Sequence, residues 1–404
     1  MNKKITQFAG RHYETGSVQN ALALQNVHAP HTGKPFTEAF LLGVSGGITF
    51  GYFTFEYKGH LPHVAILARN TFDPFQTMLE RLGVEQQVYQ TTKANIAEKN
   101  LVEALATGNP AIVRADEYSL PYTHKNPAAY WNMIPIVVYG IEDDEALIAD
   151  RSAKPFRVKI EALTKARGRV KDDKFRLITI ASPQTSKLVA AVQKGIWQCA
   201  SLFTDKPPKG ARHNFGFAAY EHLAEMLVNK RNKQSWERMF PAGVKLYNVL
   251  AGFSEGKFNP PGMFVWINCF WASDGAERDL YADFLDEASM LLDKKSLKEA
   301  AKQFRLSHKK WLDFADAILP SSVAPFGEVK KLLLQKHKLF AEQGEDGRDE
   351  IEKINTRLKK IEADITKKFP MTESQVVQFR EGIREHILGI AEIEKKAVEL
   401  MQLA

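Results

Sequence analysis

Three residues with reactive side chains, His12, Tyr13 and Glu14, stand just before a segment whose composition predicts a helix over Ser17–Val27. Catalytic nucleophiles often lie at the N-terminus of a helix, because the helix dipole and the free backbone amides stabilise a thiolate or an oxyanion there. We call the segment around His12, Tyr13 and Glu14 the elbow; it contains no cysteine. His12 or Glu14 could support acid–base chemistry, whereas a phenol, with a pKa of about 10, is a poor acyl acceptor without a strong base.

A second group of polar and aromatic residues occupies RADEYSLPYTH, at the end of a short predicted strand. Its members are Arg114, Asp116, Glu117, Tyr118, Tyr122 and His124. Such sets line ligand pockets. In the alternative interpretation, Arg114 and Asp116 form a structural pair and the tyrosines form a half-buried wall. Asp116 is a further candidate for acid–base chemistry.

Two motifs that could bind a metal ion or a phosphate lack the residues those sites need. In GHLPH, Pro62 interrupts the spacing of His60 and His63, and no cysteine or acidic cluster adjoins them. The glycine-rich GVSGGITFGY, which contains Gly46 and Gly47, lacks the Lys-Ser/Thr of a phosphate-binding loop. The sequence therefore predicts neither a metal site nor a cofactor.

These residues belong to a first half that mixes helices and strands. Short apolar runs bounded by Gly, Pro, Asp or Asn predict strands, namely GVSGGITFGYFTF, HVAILARN, PAIVRAD, IPIVVYGIE, EALIADR and FRLITIAS. Helices are predicted over Ser17–Val27, Pro74–Leu82 and Glu98–Ala106. Two apolar runs that flank the acidic residues 142–145 predict a β-hairpin. Helices followed by several strands predict an α+β fold.

The second half is predicted to be an all-α domain. We interpret Ala181–Leu188 as a linker, which divides the chain into domains 1–182 and 183–404. An apolar stripe near the C-terminus predicts an amphipathic helix packed as a hairpin or a coiled coil; it consists of Ile351, Ile354, Leu358, Ile361 and Ile365. Thr372 is positioned to cap the final helix. A homo-oligomer formed through these C-terminal helices is possible.

Composition limits the class of protein. A chain of 404 residues exceeds the usual size of one hydrophobic core, so two domains are expected. The formal net charge of +7 favours acidic partners, but no nucleic-acid-binding motif accompanies it, so specific nucleic-acid binding is not expected. The only cysteines are Cys199 and Cys269, which favours a reducing compartment. The opening MNKKITQFAG lacks the apolar core of a signal peptide, and no apolar run is long enough to span a membrane, so a cytoplasmic location is expected.

Four segments in this order, RHYETGSVQNAL, FLLGVSGGITFGYF, PAIVRADEYSLPY and IPIVVYGIEDDEALIADR, resemble the N-terminal domain of butirosin biosynthesis protein H and its relatives. The helical half, through ERDLYADFLDEA and WLDFADAI, resembles the domain that usually follows it. The resemblance implies a papain-like fold of the cysteine-protease type, with an antiparallel sheet, in the first half. It also implies acyl transfer from an acyl carrier protein to an aminoglycoside amine, in specialised metabolism.

Carried over position by position, the resemblance places Tyr13 where the family has its cysteine and Ile134 where it has its histidine. Asp150 matches the carboxylate that orients the histidine, and His12 matches the histidine of the elbow. The resemblance explains the glycine loop as a tight turn next to the cleft. The residues expected to line the cleft are Glu14, Gly46, Gly47, Asp116, Tyr118, Tyr122 and Ile134. Isoleucine cannot carry a proton, so the cysteine mechanism is expected to be lost.

These residues leave three hypotheses open. In the first, a degenerate family member binds an acyl carrier protein or a small amine or acyl ligand without thiol chemistry. In the second, Tyr13, His12 and Asp116 form a rearranged site that catalyses acyl transfer or amide hydrolysis. In the third, the C-terminal helices make the chain an interaction or scaffold protein.

Overall fold

A computed structural model describes residues 7–128, 130–205, 211, 213–252, 260–269 and 274–404 of the chain. The expected absence of a signal peptide rests on the segment MNKKITQFAG. The first six residues of that segment lie outside the described range. The strands within it are β1 (His28–Ala29), β2 (Lys34–Pro35), β3 (Ile48–Phe55), β4 (His63–Arg69), β5 (Gln86–Tyr89), β6 (Ala111–Asp116), β7 (Met133–Glu142), β8 (Glu145–Ala149), β9 (Phe156–Lys159) and β10 (Leu177–Ile180).

The helices between and after these strands make the N-terminal part mixed and the C-terminal part helical. Those of the N-terminal part are α1 (Tyr13–Leu24), α2 (Glu38–Val44), α3 (Pro74–Arg81), α4 (Ala94–Ala106) and α5 (Ile160–Arg167). Those that follow are α6 (Leu188–Thr204), α7 (Gly216–Val228), α8 (Trp236–Met239), α9 (Val244–Ala251), α10 (Met263–Asn268), α11 (Arg278–Leu292), α12 (Lys295–Ile318), α13 (Ala324–Gln343), α14 (Arg348–Lys367) and α15 (Glu373–Gln402). The prediction of antiparallel sheet followed by helices is confirmed.

The main sheet is antiparallel, with six strands in the order β5-β10-β6-β7-β8-β9. The predicted hairpin is formed by β7 and β8, with Glu142 opposite Glu145. Asp143 and Asp144 make its two-residue turn in left-handed conformations, at φ 47° and 64°, as a turn that follows the twist of a hairpin requires. Strands β3 and β4 form a separate two-stranded sheet.

Apolar residues on the two faces of the main sheet belong to different core clusters. Ile112, Val137 and Ile178 join the large core that also contains residues of α1 and α2. Ile134 and Ile136 face the other cluster, which includes aromatic side chains of the N-terminal part and of α13. This alternation along β7 follows from the two-residue period of a strand, and it places Met133 and Pro135 on the face opposite to Ile134.

The large core continues from the N-terminal part into the helical part. Gly43 of α2 lies so close to Phe284 of α11 that a Cβ on Gly43 would overlap the ring. The fully buried Arg278 of α11 donates to the carbonyl oxygens of Thr49 and Ala68, and its Nε lies 2.7 Å from a carboxylate oxygen of Glu394 on α15. These contacts join residues on both sides of residue 182. The division of the chain into two domains at that residue stays a prediction.

The C-terminal helices follow the predicted pattern. The five apolar residues of the stripe in α14 are buried, and α13 and α14 pack as a hairpin. Thr372 caps α15, where its hydroxyl accepts from the Gln375 amide and the Gln375 side chain accepts from the Thr372 amide. Among the described residues, none of the helices combines the length and the apolar character needed to cross a bilayer.

Candidate functional site

His12 is the cap of α1. Its Nδ1 accepts a hydrogen bond of 3.2 Å from the backbone amide of Glu14, which satisfies one of the free donors in the first turn. Burial, assisted by the positive charges of Arg69 and Arg151, holds the pKa of His12 well below its usual value. The ring is therefore neutral at physiological pH and carries its proton on Nε2. Helix α1 thus starts at Tyr13, four residues before the predicted start, because an imidazole replaces the usual Ser, Thr, Asp or Asn cap.

Tyr13 is the first residue of α1 and is only partly exposed. Its ring lies 5.7 Å from the guanidinium carbon of Arg151, and it packs against the apolar cluster that contains Ile134 and Tyr122. Burial and the negative charges of Glu14 and Glu117 raise the pKa of the phenol. A phenol that ionises less readily than usual is a weak nucleophile.

Beneath Tyr13 lies a buried charge quartet, formed by Glu117, Lys125, Asp150 and Arg151. The Arg151 guanidinium lies 2.8 Å from a carboxylate oxygen of Asp150 and 3.0 Å from one of Glu117, and the Lys125 ammonium lies 2.9 Å from Glu117. Tyr122 donates a hydrogen bond of 3.0 Å to Asp150. Burial alone would raise the pKa of Glu117, but Lys125 and Arg151 lower it to about 2. The quartet is therefore a compensated set of two anions and two cations.

Helix α13 covers this quartet. The Phe340 ring lies 5.8 Å from the guanidinium carbon of Arg151 and 5.3 Å from the ring of Phe156. The backbone amide of Ala153 donates to the carbonyl oxygen of Ala341, at 2.8 Å. The helical part of the chain thus packs directly over the segment that carries Asp150.

An open cavity of about 720 Å³ lies on the other side of Tyr13. Its walls come from α1, α3, four strands of the main sheet and the segment before β10. The lining residues are Tyr13, Glu14, Asp73, Phe75, Gln76, Glu80, Gln86, Val88, Gln90, Ile112, Arg114, Met133, Pro135, Asp172, Asp173, Arg176 and Ile178. The cavity is large enough for a small organic ligand.

Negative charge dominates the lining, with five carboxylates against two guanidinium groups. One of the two cations, Arg114, lies 3.3 Å from Asp173. Asp73 precedes α3 in a left-handed conformation, at φ 48°, and its side chain makes no capping bond to that helix. The Asp73 carboxylate therefore does not act as a helix cap, and it lines the cavity.

Glu14 combines the cavity position with an unusual protonation equilibrium. Burial raises the pKa of Glu14 to about 7, with a smaller contribution from Asp73, although Arg69 and Arg114 oppose the shift. The side chain is 22% exposed, so it is accessible from the cavity. A carboxyl that titrates near neutral pH in a cleft is a candidate binding or acid–base group.

Residues 12–151 match the family model described as butirosin biosynthesis protein H, N-terminal. This part of the chain is a butirosin-H N-terminal-like domain. The match begins at His12 and ends at Arg151, so it includes the elbow, β7 and the whole charge quartet. The predicted resemblance is confirmed for the domain, and the helical structure of the rest of the chain is consistent with it. A search of the curated proteins found no match.

Within the butirosin-H-like domain, the structure separates the predicted cleft residues. Tyr13 and Glu14 line the cavity, whereas Ile134 has no exposed surface and Tyr122 is hydrogen-bonded to Asp150. Asp116 accepts hydrogen bonds from the amides of Tyr118 and Asn132 and from the Ser119 hydroxyl, and so holds the turn after β6. This supports the structural alternative for Asp116, although its partners differ from the expected Arg114.

The glycine loop lies in the core. Gly46 and Gly47 have positive φ values of 104° and 71°, and a Cβ on Gly47 would stand 2.6 Å from the Tyr281 ring and 2.9 Å from the Cys199 sulfur. Neither glycine lines the cavity beside Tyr13. Of the predicted histidine pair, His63 stacks on Phe55 with the ring centroids 5.1 Å apart, and the described residues contain no group of side chains suited to a metal ion.

The acidic residues of the cavity outside α1 were missed at the sequence level. Asp73 stands among uncharged neighbours, and Asp172 and Asp173 form a pair between two lysines, so all three resemble ordinary surface residues. The signal that could have revealed Asp73 is the Asp-Pro pair at the start of α3, which marks a fixed helix entry. For Asp172 and Asp173 the sequence offers no signal.

Proposed function

We propose that this protein is a butirosin-H-like protein without thiol catalysis, which binds an amine-bearing small molecule in the acidic cavity beside Tyr13 and Glu14. One observation carries the proposal: the N-terminus of α1, where the family would have its nucleophile, opens into a cavity whose charged lining is mostly carboxylate. Proteins of specialised-metabolite biosynthesis are the context that the family name suggests. The free, buried Cys199 and Cys269 support a cytoplasmic location.

A papain-like arrangement is part of the proposal. Three features support it: α1 packs on β6 and β7, Tyr13 is at the tip of α1, and Asp150 follows β8. In this arrangement Tyr13 and Ile134 occupy the positions of the cysteine and the histidine; Ile134 belongs to the apolar cluster against which Tyr13 packs. The carboxylate position survives as Asp150, but Arg151 neutralises it.

An amine fits the cavity for an electrostatic reason. Ammonium groups are attracted by the surplus of carboxylates, and a low-dielectric wall strengthens the attraction. The net charge of +7 belongs to the whole chain. It supports an acidic carrier protein as a partner on the outer surface, not as the occupant of an acidic cavity.

Titration calorimetry with the full chain tests the proposal. The probe is a commercial aminoglycoside with free amines, and the matched control is the same compound with every amine acetylated. We expect the free amine to bind and the acetylated compound to bind at least tenfold more weakly. Equal binding of both, or binding of neither, contradicts the proposal. A parallel titration with an acyl carrier protein, loaded and unloaded, tests the carrier hypothesis separately.

Acid–base catalysis by Glu14 is the second candidate function, and the pKa of about 7 favours it. In this mechanism the Glu14 carboxylate would accept a proton from the ligand amine while the amine nitrogen bonds to the acyl carbon of a carrier-protein thioester. The C–S bond of the thioester then breaks, and the carrier thiolate leaves with the proton from Glu14. The other residues of the hypothesised rearranged site are less suited to this role. His12 caps α1 through Nδ1, and Asp116 accepts hydrogen bonds within the turn after β6. Burial raises the pKa of the Tyr13 phenol.

Mass spectrometry of the aminoglycoside after incubation with a loaded acyl carrier protein tests this mechanism. Acylation that survives Tyr13→Phe and is lost in Glu14→Gln would support Glu14 as the base. Acylation that survives Glu14→Gln would contradict it. Absence of turnover in the wild type would favour the first candidate, in which the cavity only binds.

A further inference from the structure

A groove on the helical part collects exposed apolar side chains. Among the described residues, the three most exposed large apolar side chains are Met290, Leu403 and Trp197, at 77%, 72% and 70%. Trp197 itself lines a groove of about 520 Å³, and the other two lie within two residues of its lining residues Leu292 and Met401. Exposed apolar clusters of this kind mark interaction surfaces, and tryptophan is enriched in them.

The groove and Trp197 are adjacent, so the surface carries both a protruding ring and a cleft that could receive one. Helices α6, α11 and α15 contribute Ile196, Ala200, Leu292 and Met401 to the groove. A surface with both features can pair with itself around a twofold axis, where the ring of each copy enters the groove of the other.

Charge on α6 fits the same arrangement. Lys194 of α6 and Asp205, the residue directly after α6, are both exposed and lie on either side of Trp197 in sequence. They lie at equal distances from the point between Cys199 and Ala200. When α6 packs antiparallel against its copy about that point, the Lys194 of each copy stands opposite the Asp205 of the other. The two ion pairs would offset repulsion between copies that each carry a net charge of +7.

We propose that the protein forms a homodimer through antiparallel packing of α6, with Trp197 as its central contact. The proposed dimer uses α6, whereas the sequence suggested the last helices of the chain. No residue of α6 lines the cavity beside Tyr13, so the dimer leaves that cavity open and its test is independent of the proposed function.

Sedimentation equilibrium of the full chain tests the proposal. The wild type should be a dimer in the micromolar range, and Trp197→Glu should weaken the dimer at least tenfold, since it buries a charge at the centre of the interface. Trp131→Glu is the matched control, because Trp131 is 54% exposed on the N-terminal part. It should leave the dimer unchanged. A monomeric wild type, or a Trp197→Glu variant that is still dimeric, overturns the proposal.

A charge exchange tests the antiparallel geometry. Lys194→Asp should weaken the dimer, because it places two acidic groups opposite each other at each end. The double variant Lys194→Asp with Asp205→Lys should restore the dimer, since it only reverses the two ion pairs. If the double variant associates no better than the single one, α6 does not pack in this way and the proposed interface is wrong.

Discussion

Two sets of carboxylates meet at the N-terminus of α1, and they differ in their partners. Glu117 and Asp150 belong to the buried charge quartet, where two cations compensate them and the pKa of Glu117 falls to about 2. Glu14 faces the cavity among other carboxylates, and its pKa rises to about 7. Compensated charge holds a structure together, whereas uncompensated charge in a cleft is available for a ligand. The comparison therefore favours a structural role for the quartet and supports the cavity as the proposed binding site.

The comparison also bears on Asp150, the carboxylate to which the resemblance gives a catalytic position. Arg151 donates to both of its oxygens, and α13 covers it. A carboxylate held in this way orients a neighbouring cation instead of a catalytic imidazole. We therefore expect changes in the quartet to affect stability and changes at Glu14 to affect binding.

The largest expected effect is on the quartet. Glu117→Ala should lower the free energy of unfolding by about 3–5 kcal/mol, because it leaves Lys125 and Arg151 buried without one of their counter-ions. Urea denaturation measures the change. Glu103→Ala, at an exposed position of α4, should change stability by less than about 0.5 kcal/mol. Similar small losses for both variants would mean that the quartet is not structural.

The second largest effect is expected on the reactivity of a cysteine placed at position 13, the first residue of α1. Tyr13→Cys should produce a thiol with a lowered pKa, because its sulfur would lie directly beyond Cβ, at the free amides of the first turn of α1. The phenol oxygen of Tyr13, whose pKa burial and two carboxylates raise, lies farther from those amides. Alkylation by iodoacetamide at neutral pH should exceed that of a free thiol about fivefold. Adding Ile134→His should increase the rate further, since the imidazole would share the apolar cluster with position 13.

The chain supplies its own control for this experiment. Burial raises the pKa of Cys199 to about 12 and raises that of Cys269 as well, so neither native cysteine should be labelled in the folded protein. A thiol at position 13 that reacts no faster than a free cysteine would contradict the proposed arrangement of the elbow.

A smaller effect is expected from Glu14 on stability. Its pKa in the folded protein exceeds the ordinary value of 4.5, so folding favours the protonated form, and this contribution to stability is lost as pH rises from about 4.5 to about 7. Glu14→Gln should therefore stabilise the protein by about 3 kcal/mol at pH 8 and have little effect at pH 4.5. If the unfolding midpoints of the wild type and Glu14→Gln differ by the same amount at both pH values, the raised pKa of Glu14 is contradicted.

The smallest effect is expected at the cavity rim. Asp172→Asn should weaken the binding of an amine about twofold, since an exposed carboxylate contributes only about 0.5 kcal/mol to an ion pair. Glu103→Gln, remote in sequence and absent from the cavity lining, is the control for calorimetry. An unchanged affinity in Asp172→Asn would place the amine deeper in the cavity, against Glu14.

Local patterns in the sequence were enough to predict several elements. The two apolar runs around residues 142–145 predict the β7–β8 hairpin, and the stripe from Ile351 to Ile365 predicts α14, because each pattern reflects one buried face. The edge strands β5 and β9 were missed. The β5 sequence QQVY is mostly polar, and the β9 sequence FRVK alternates apolar and charged residues over only four positions. Short edge strands of this kind bury too little apolar surface to be recognised from the sequence.

The site was only partly predictable for a different reason. Tyr13 and Glu14 stand out because they precede a helix, but the cavity that they line also needs α3, β5, β10 and the residues before β10, which only the fold brings together. The quartet joins residues 117, 125, 150 and 151 through a sheet and a loop, and its cover comes from Phe340 of the helical part. Contacts of such long range have no signature in a single sequence.

The central claim, that Glu14 is the group that receives a cation in the cavity, predicts a proton linkage. Calorimetry of aminoglycoside binding at pH 7, in buffers of different ionisation enthalpy, measures the protons exchanged. Because burial raises the pKa of Glu14 to about 7, the carboxyl is partly protonated at this pH. A bound ammonium favours its ionised form, so we expect the release of a fraction of a proton per ligand. Glu14→Gln should abolish that release. Binding without proton release in the wild type, or the same release in the variant, would contradict the account.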